Sequence, residues 1–409
     1  MNYSKINHLF CITLQIISLL QCIIIIKTYS WPIGFGGNAR RTSQVIPTDT
    51  LPSSTIHEPY EIWKKETGSR IESSVSLNIE ASKDPLGYIA NTNGQMICFH
   101  LISGAFSWVV STSAIITSSP LIFQDTVYIS NSQRIYAINK MNGRTKYTIK
   151  KPVISSPVIS NDGKFLIFGD MDGNIYGANA IDGKIIWTYK VSAGIYSSPA
   201  ISYDDKTVVF GSDDKFVYAL NVNTGTFKWK TETESVVRSS PAISTTGNVY
   251  IGSGFGDGNL YCLKLSDGKI KWKYQTGNGI SSSPSISSDN TKVFVGSSDN
   301  YIYALDAFNS HLLWKVKTEA DVESSPALSE DGSVLYQGSN DGHIYAIEIE
   351  SGNIRFKYYI RNAITSSIAL SRGGEIMFFG SNTVLYSIGS GRLNQYGEFK
   401  QDESVNVDL

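Results

Sequence analysis

Side chains that do chemistry are present in this sequence, but none fall in a catalytic spacing. The histidines beyond residue 30 are His57, His100, His311 and His343, each isolated. None forms the His-Glu-x-x-His pair that places two ligands on one face of a helix. Asp204-Asp205 and Asp213-Asp214 read as solvated turns rather than a metal pair. Gly252-Ser253-Gly254-Phe255-Gly256 is not a nucleophile elbow and reads as a bulged hairpin. No catalytic, cofactor or metal residue is therefore assigned. One set of positions does draw attention by its regularity. Glu72, Thr117, Ile154, Tyr196, Arg238, Ser281, Glu323 and Thr365 each stand directly before a Ser-Ser pair. A variable residue on a constant frame suits recognition. The charged and aromatic members, Glu72, Tyr196, Arg238 and Glu323, form a candidate binding rim.

The frame is a repeat. Ser-Ser-Pro recurs with prolines at 120, 157, 199, 241, 284 and 326, spaced by 37, 42, 42, 43 and 42 residues. Ser73-Ser74 and Ser366-Ser367 extend the series to eight without proline. An aromatic closes each unit: Trp108, Tyr147, Trp187, Trp229, Trp272, Trp314 and Phe356, with Trp63 as the eighth. A period of 40–45 residues is one blade of a propeller. The C-terminal unit has three strands and no aromatic fourth. Trp63 has no strands before it. The sequence thus predicts an all-β, eight-bladed propeller of four-stranded antiparallel blades, with the Trp63 strand completing the C-terminal blade.

Local signals agree. Proline cannot donate to a ladder, so Ser-Ser-Pro belongs on an edge strand, here the innermost one along the channel. Asp172-Gly173, Asp257-Gly258, Asp341-Gly342 and Asn93-Gly94 mark hairpins between second and third strands, read as tight turns with φ > 0 at both central residues. A small residue ends each second strand, as at Gly211 and Gly338, and another follows the third-strand tyrosine, as at Ala219 and Cys262. Both sets are expected to let neighbouring sheets approach. The docking aromatics Trp63, Trp108, Trp187, Trp229, Trp272 and Trp314 are expected to fill the space between blades.

Residues 1–30 hold the apolar run Leu9–Ile26 and read as a secretory signal, with an uncleaved anchor formed by residues 9–26 as the alternative. Residues 31–59 read as a linker, 60–390 as the propeller and 391–409 as a polar tail. The expected location is the secretory pathway, extracellular or periplasmic, or the membrane if the segment stays. Net charge is −1 over 409 residues, which gives no case for nucleic acid. Cys98 and Cys262 are the two cysteines beyond the signal, too few for a disulfide framework.

Ser-Ser-Pro, Tyr-Ala-Leu and Gly-x-x-x-Trp together resemble the pyrroloquinoline-quinone (PQQ) repeat of quinoprotein-like propellers. Ala219 to Trp229 follows that family's tryptophan-docking motif, Ala-x-Asp-x-x-x-Gly-x-x-x-Trp, with Asn221 for Asp. The WD repeat fits less well, because no repeated Gly-His opener occurs. The resemblance implies one of two functions. Quinoprotein dehydrogenases clamp PQQ between a tryptophan and an adjacent Cys-Cys disulfide, with Ca²⁺ beside it. The other branch is non-catalytic, like the lipoprotein of the outer-membrane barrel-assembly machinery. This chain has no Cys-Cys pair, no Cys-x-x-Cys-His haem site and only short loops. The expectation is a scaffold without cofactor that binds a protein partner through its channel rim or blade loops. A PQQ-dependent dehydrogenase and a carbohydrate-binding propeller using its 23 tyrosines are the alternatives.

Overall fold

The computed structural model describes residues 55–78 and 85–390. The apolar segment 1–30, most of the stretch 31–59 and the tail 391–409 lie outside them. Eight four-stranded antiparallel sheets account for all 32 strands, and a 3₁₀ turn at Arg372–Gly374 is the one helical element among the described residues. No helix there is long and apolar enough to cross a membrane.

Blade 4 shows how the sequence makes each sheet. Its strands, from the channel outward, are Ala200–Ile201, Thr207–Gly211, Phe216–Asn221 and Phe227–Glu232. The first is short and lines the channel as an edge, where Pro199, which cannot donate, is tolerated just before it. The second is buried along its length, as expected of a strand covered on both faces by adjoining sheets. The outer strand is largely exposed, but Trp229 is buried opposite Ala219.

The ring closes as the spacing predicts. Pro59–Glu66 pairs antiparallel with Val384–Ser390 as the outer strand of blade 8, and Trp63 lies opposite Ser387. The hydrophobic cores sit in the seams between blades. One joins Trp187 and Ile195 to Val208, Phe210 and Leu220 of the next blade. Each docking indole also donates its ring N–H forward, to the turn between third and outer strand of the following blade. Trp187 Nε1 reaches Val222 O at 2.9 Å, Trp229 Nε1 reaches Leu265 O at 2.7 Å, and Trp314 Nε1 reaches Ile349 O at 2.8 Å. Trp63, Trp108 and Trp272 do the same with Leu101, Lys140 and Ala307. The motif glycine is needed because a Cβ on Gly268 would sit 2.5 Å from the Trp229 ring.

Two local expectations need correction. In the Asn93-Gly94, Asp172-Gly173, Asp257-Gly258 and Asp341-Gly342 turns only the glycine has positive φ. The loops are longer than two residues. In blade 3 Asp170 Oδ1 accepts the Asn174 N–H, and Gly173 supplies the left-handed step. The small third-strand residues do not admit a neighbouring sheet either. They make room for the indole of their own blade: a Cβ on Gly177 would lie 2.1 Å from Trp187. Cys98 and Cys262 occupy this position as buried thiols outside any disulfide, and burial pushes the Cys262 thiol up to about 12.

Candidate binding site at the channel mouth

The paired serines divide two tasks. The first serine ties its strand to the second strand of its own blade: Ser197 Oγ accepts the Gly211 N–H, and Ser239 Oγ accepts the Gly252 N–H. The second serine links blades. Ser74 N–H donates to Ser119 Oγ, Ser119 to Ser156, Ser156 to Ser198 and Ser198 to Ser240, at 2.9–3.0 Å. Ser240 donates to Ser283, Ser283 to Ser325 and Ser325 to Ser367, each at 3.0 Å. Ser367 N–H then donates to Ser74 Oγ at 3.0 Å. Eight hydrogen bonds form a closed belt around the channel.

The residue before each pair is fixed from the other side as well. An Ile or Val precedes it in every blade: Ile71, Ile116, Val153, Ile195, Val237, Ile280, Val322 and Ile364, all essentially buried. Ile195 and Val237 press onto the second-strand glycines Gly169 and Gly211, where an added Cβ would come within 2.3 Å. This is why those strands end in small residues. The variable position is thus held between a buried apolar anchor and the serine belt. All eight variable residues, the four candidate rim residues among them, line one polar cavity of about 210 Å³ together with the second serines.

Charge around the mouth is uneven. Arg238 makes a bidentate pair with Asp213, Nε to Oδ1 at 3.0 Å and Nη2 to Oδ2 at 2.8 Å. Its guanidinium also lies 4.7 Å from the centre of the Tyr196 ring. The hydrogen bonds to Asp213 hold the guanidinium above its ordinary pKa. Glu72 lies 3.4 Å from Arg70 Nε. Glu323 is exposed. The structure therefore brings Glu72, Tyr196, Arg238 and Glu323 to one mouth, with Tyr196 and Arg238 joined and the two glutamates on blades 1 and 7, flanking blade 8.

Sequence reasoning missed two features here. The Ile/Val anchors were visible as an apolar residue two places before every first serine. Asp213 carries no comparable signal, since it is one of several turn aspartates. The tyrosine–aspartate pairs along the hairpins at the same end are structural. Tyr218 Oη donates to Asp214 at 2.8 Å and Tyr345 Oη to Asp341 at 2.6 Å.

A family model described as outer membrane protein assembly factor BamB matches residues 148–283 and 276–396, more than half of the chain. The chain belongs to this family. No curated protein sequence matches it. Among solved structures, BamB from Moraxella catarrhalis superposes with a TM-score of 0.67 at 15% identity, covering 81% of this chain and all of that one. The quinohemoprotein alcohol dehydrogenase from Comamonas testosteroni superposes with a TM-score of 0.72 at 11% identity, covering 91% of this chain and 84% of that one. A europium-containing methanol dehydrogenase gives 0.71 at 9%, covering 89% and 99%. At these identities the likeness is one of fold.

The BamB-family propeller described here does not fit a quinone and its cation. No two cysteines are adjacent. Among the described residues no three His, Cys, Asp or Glu side chains are placed to share a metal ion. The 210 Å³ of the mouth is also below the ~300–1,000 Å³ usual for cofactor pockets.

Proposed function

We propose that this chain is an exported, non-catalytic propeller scaffold that binds a protein partner at its channel mouth. The observation that carries the reading is the closed serine belt, which holds eight variable side chains rigidly around one small polar cavity. A cavity of 210 Å³ suits one or two side chains of a partner loop rather than a bound cofactor. Glu72 and Glu323 favour a basic side chain on that loop, and the Tyr196–Arg238 pair offers a flat face for a planar one. Family membership supports a scaffold role, since the matching model describes an assembly factor.

The test is a photo-crosslinking residue placed at Glu323 or Ser281 in the native host, with the outer-strand position Lys315 as control. The expected result is one dominant protein adduct from both mouth positions and none from Lys315. Adducts of equal yield from all three would remove the mouth as the site. A turnover assay separates the enzyme reading. With PQQ and Ca²⁺ added, alcohols or aldoses should not reduce an artificial electron acceptor; sustained turnover would overturn the scaffold reading.

A further inference from the structure

The turn between third and outer strand is built in one way in blades 1 to 7. Its first carbonyl accepts the N–H four residues on, as Asn139 O does from Gly143 and Asn179 O from Gly183. Its second residue gives its carbonyl to the docking ring of the preceding blade, as Lys140 does to Trp108 and Ala180 to Tyr147. The third residue is the tip, and it is exposed in all seven blades. Packing therefore does not select its type: in blades 4, 5 and 7 it is Asn223, Ser266 and Glu350, and in blade 6 it is a lone apolar tip, Phe308, 55% exposed and away from the other apolar ones. In blades 1, 2 and 3 it is Ile102, Met141 and Ile181, which are 64%, 61% and 83% exposed. Two of these tips are fixed by a side-chain bond to their own N–H. Asn139 Oδ1 accepts the Met141 N–H at 3.0 Å, and Asn179 Oδ1 accepts the Ile181 N–H at 2.8 Å.

Their place in the ring gives the tips a meaning. Third strands end at the end of the ring opposite the channel mouth. Pro59 pairs with Ser390 at that same end, in blade 8 beside blade 1. The chain therefore enters and leaves the propeller next to the apolar arc. Fifty-four residues precede the first described one, and they include the apolar run Leu9–Ile26. Two lysines at this end are matched by carboxylates, Lys146 by Asp125 at 2.7 Å and Lys164 by Asp162 at 2.9 Å.

We propose that this end of the propeller rests on a lipid bilayer, with Ile102, Met141 and Ile181 inserted side by side into its surface. The tips are separate protrusions, one per blade, rather than the walls of a groove, which suits a deformable apolar medium. Attachment rests on burial of these apolar side chains. The proposal is independent of the channel-mouth reading, which concerns the other end of the ring.

The test uses residues 31–409. This form lacks the apolar run yet keeps every strand and all eight cores, which lie within residues 55–390. It should co-sediment with neutral phosphatidylcholine vesicles, and about 0.5 M salt should not release it. The triple variant Ile102→Ser, Met141→Ser, Ile181→Ser should bind at least about tenfold more weakly, as expected for withdrawing three large apolar side chains. Phe255→Ser, on the opposite end, should bind as wild type. As a second readout, Ile181→Trp should shift its emission to the blue on adding vesicles. No binding by the parent form overturns the proposal, as does equal binding by the triple variant, binding that needs anionic lipid, or an unshifted Ile181→Trp.

Discussion

The backbone N–H of Ile56 donates to Tyr336 Oη at 3.0 Å, joining residues 280 apart in sequence. Tyr336 belongs to blade 7, and Ile56 lies just before the strand that completes blade 8. Ile56 is fully buried among Tyr336, Phe356, Phe379 and Ile388. Arg355 Nη1 donates to Thr55 Oγ1 at the same place. Phe356 has no ring N–H to donate, unlike the tryptophans of five other blades and Trp63. At this seam Thr55 and Ile56 supply the polar link that an indole supplies elsewhere. Closure of the ring is thus more than the pairing of Pro59–Glu66 with Val384–Ser390.

Ile56→Ala should lower stability by about 2–4 kcal/mol, within the range for truncating a buried isoleucine. Deleting residues 59–66 should cost more and expose the edge of Val384–Ser390 to self-association. Urea denaturation followed by light scattering measures both. A midpoint unchanged by Ile56→Ala would show that this residue does not seal the seam.

Trp229→Ala should cost roughly 3–5 kcal/mol. Trp229→Phe keeps most of the apolar contact but removes the donor to Leu265 O, and should cost about 1 kcal/mol more than its volume change explains. Gly268→Ala should be nearly as damaging as Trp229→Ala. It places a Cβ against that ring at a residue with φ of +73°. Chemical denaturation of the three variants ranks them; a silent Gly268→Ala would contradict the docking geometry.

Ser240→Ala leaves the buried Ser198 N–H without its acceptor, at a cost of about 1–3 kcal/mol. Ser281→Ala, one step outside the belt in the next blade, should be neutral. The contrast isolates the belt from the rim, and equal midpoints would argue that the ring of hydrogen bonds contributes nothing.

Acid should weaken the fold through Asp257 and Asp341. Burial works to raise both carboxyls. It is outweighed at Asp257 by hydrogen bonds from Ser253, Tyr261 and Asn259, and at Asp341 by those from Tyr345, Glu319 N and His343, so both lie below the ordinary range. A carboxyl depressed by folding gives stability that is full above its unfolded pKa of about 3.9 and is lost as pH falls through the folded value. The urea midpoint should therefore drop as pH falls from about 5 to below 4. Asp257→Asn with Asp341→Asn should flatten that drop.

Much of this molecule was legible because its repeat is physical. Pro199 and its equivalents mark an edge, Trp229 and its equivalents mark a seam, and a spacing near 42 fixes the blade. The lone Trp63 revealed the closure for the same reason. What stayed hidden depends on pairing across blades. No local signal says that Ser198 N–H finds Ser240 Oγ, or that Asp213 meets Arg238. Ile56 was read as linker because a single isoleucine among polar residues has no period. The rim residues could be located from their spacing, but their grouping into an Arg238–Tyr196 pair opposed by two glutamates needed the ring.

The final prediction concerns the rim. Arg238 is committed to Asp213, so reversing it also leaves a carboxylate without its cation and confuses two effects. Glu323 is the cleaner probe, being exposed with no ion pair among the described residues. Glu323→Lys should leave the denaturation midpoint within about 0.5 kcal/mol of the parent, as for most exposed substitutions. It should weaken capture of the protein crosslinked at Ser281 by about tenfold and slow its association, because a rim charge acts mainly on encounter. Raising the salt should shrink the difference between the two forms. Equal affinity at low salt would show that this carboxylate faces no cation on the partner, and would shift attention to the Tyr196 side of the mouth.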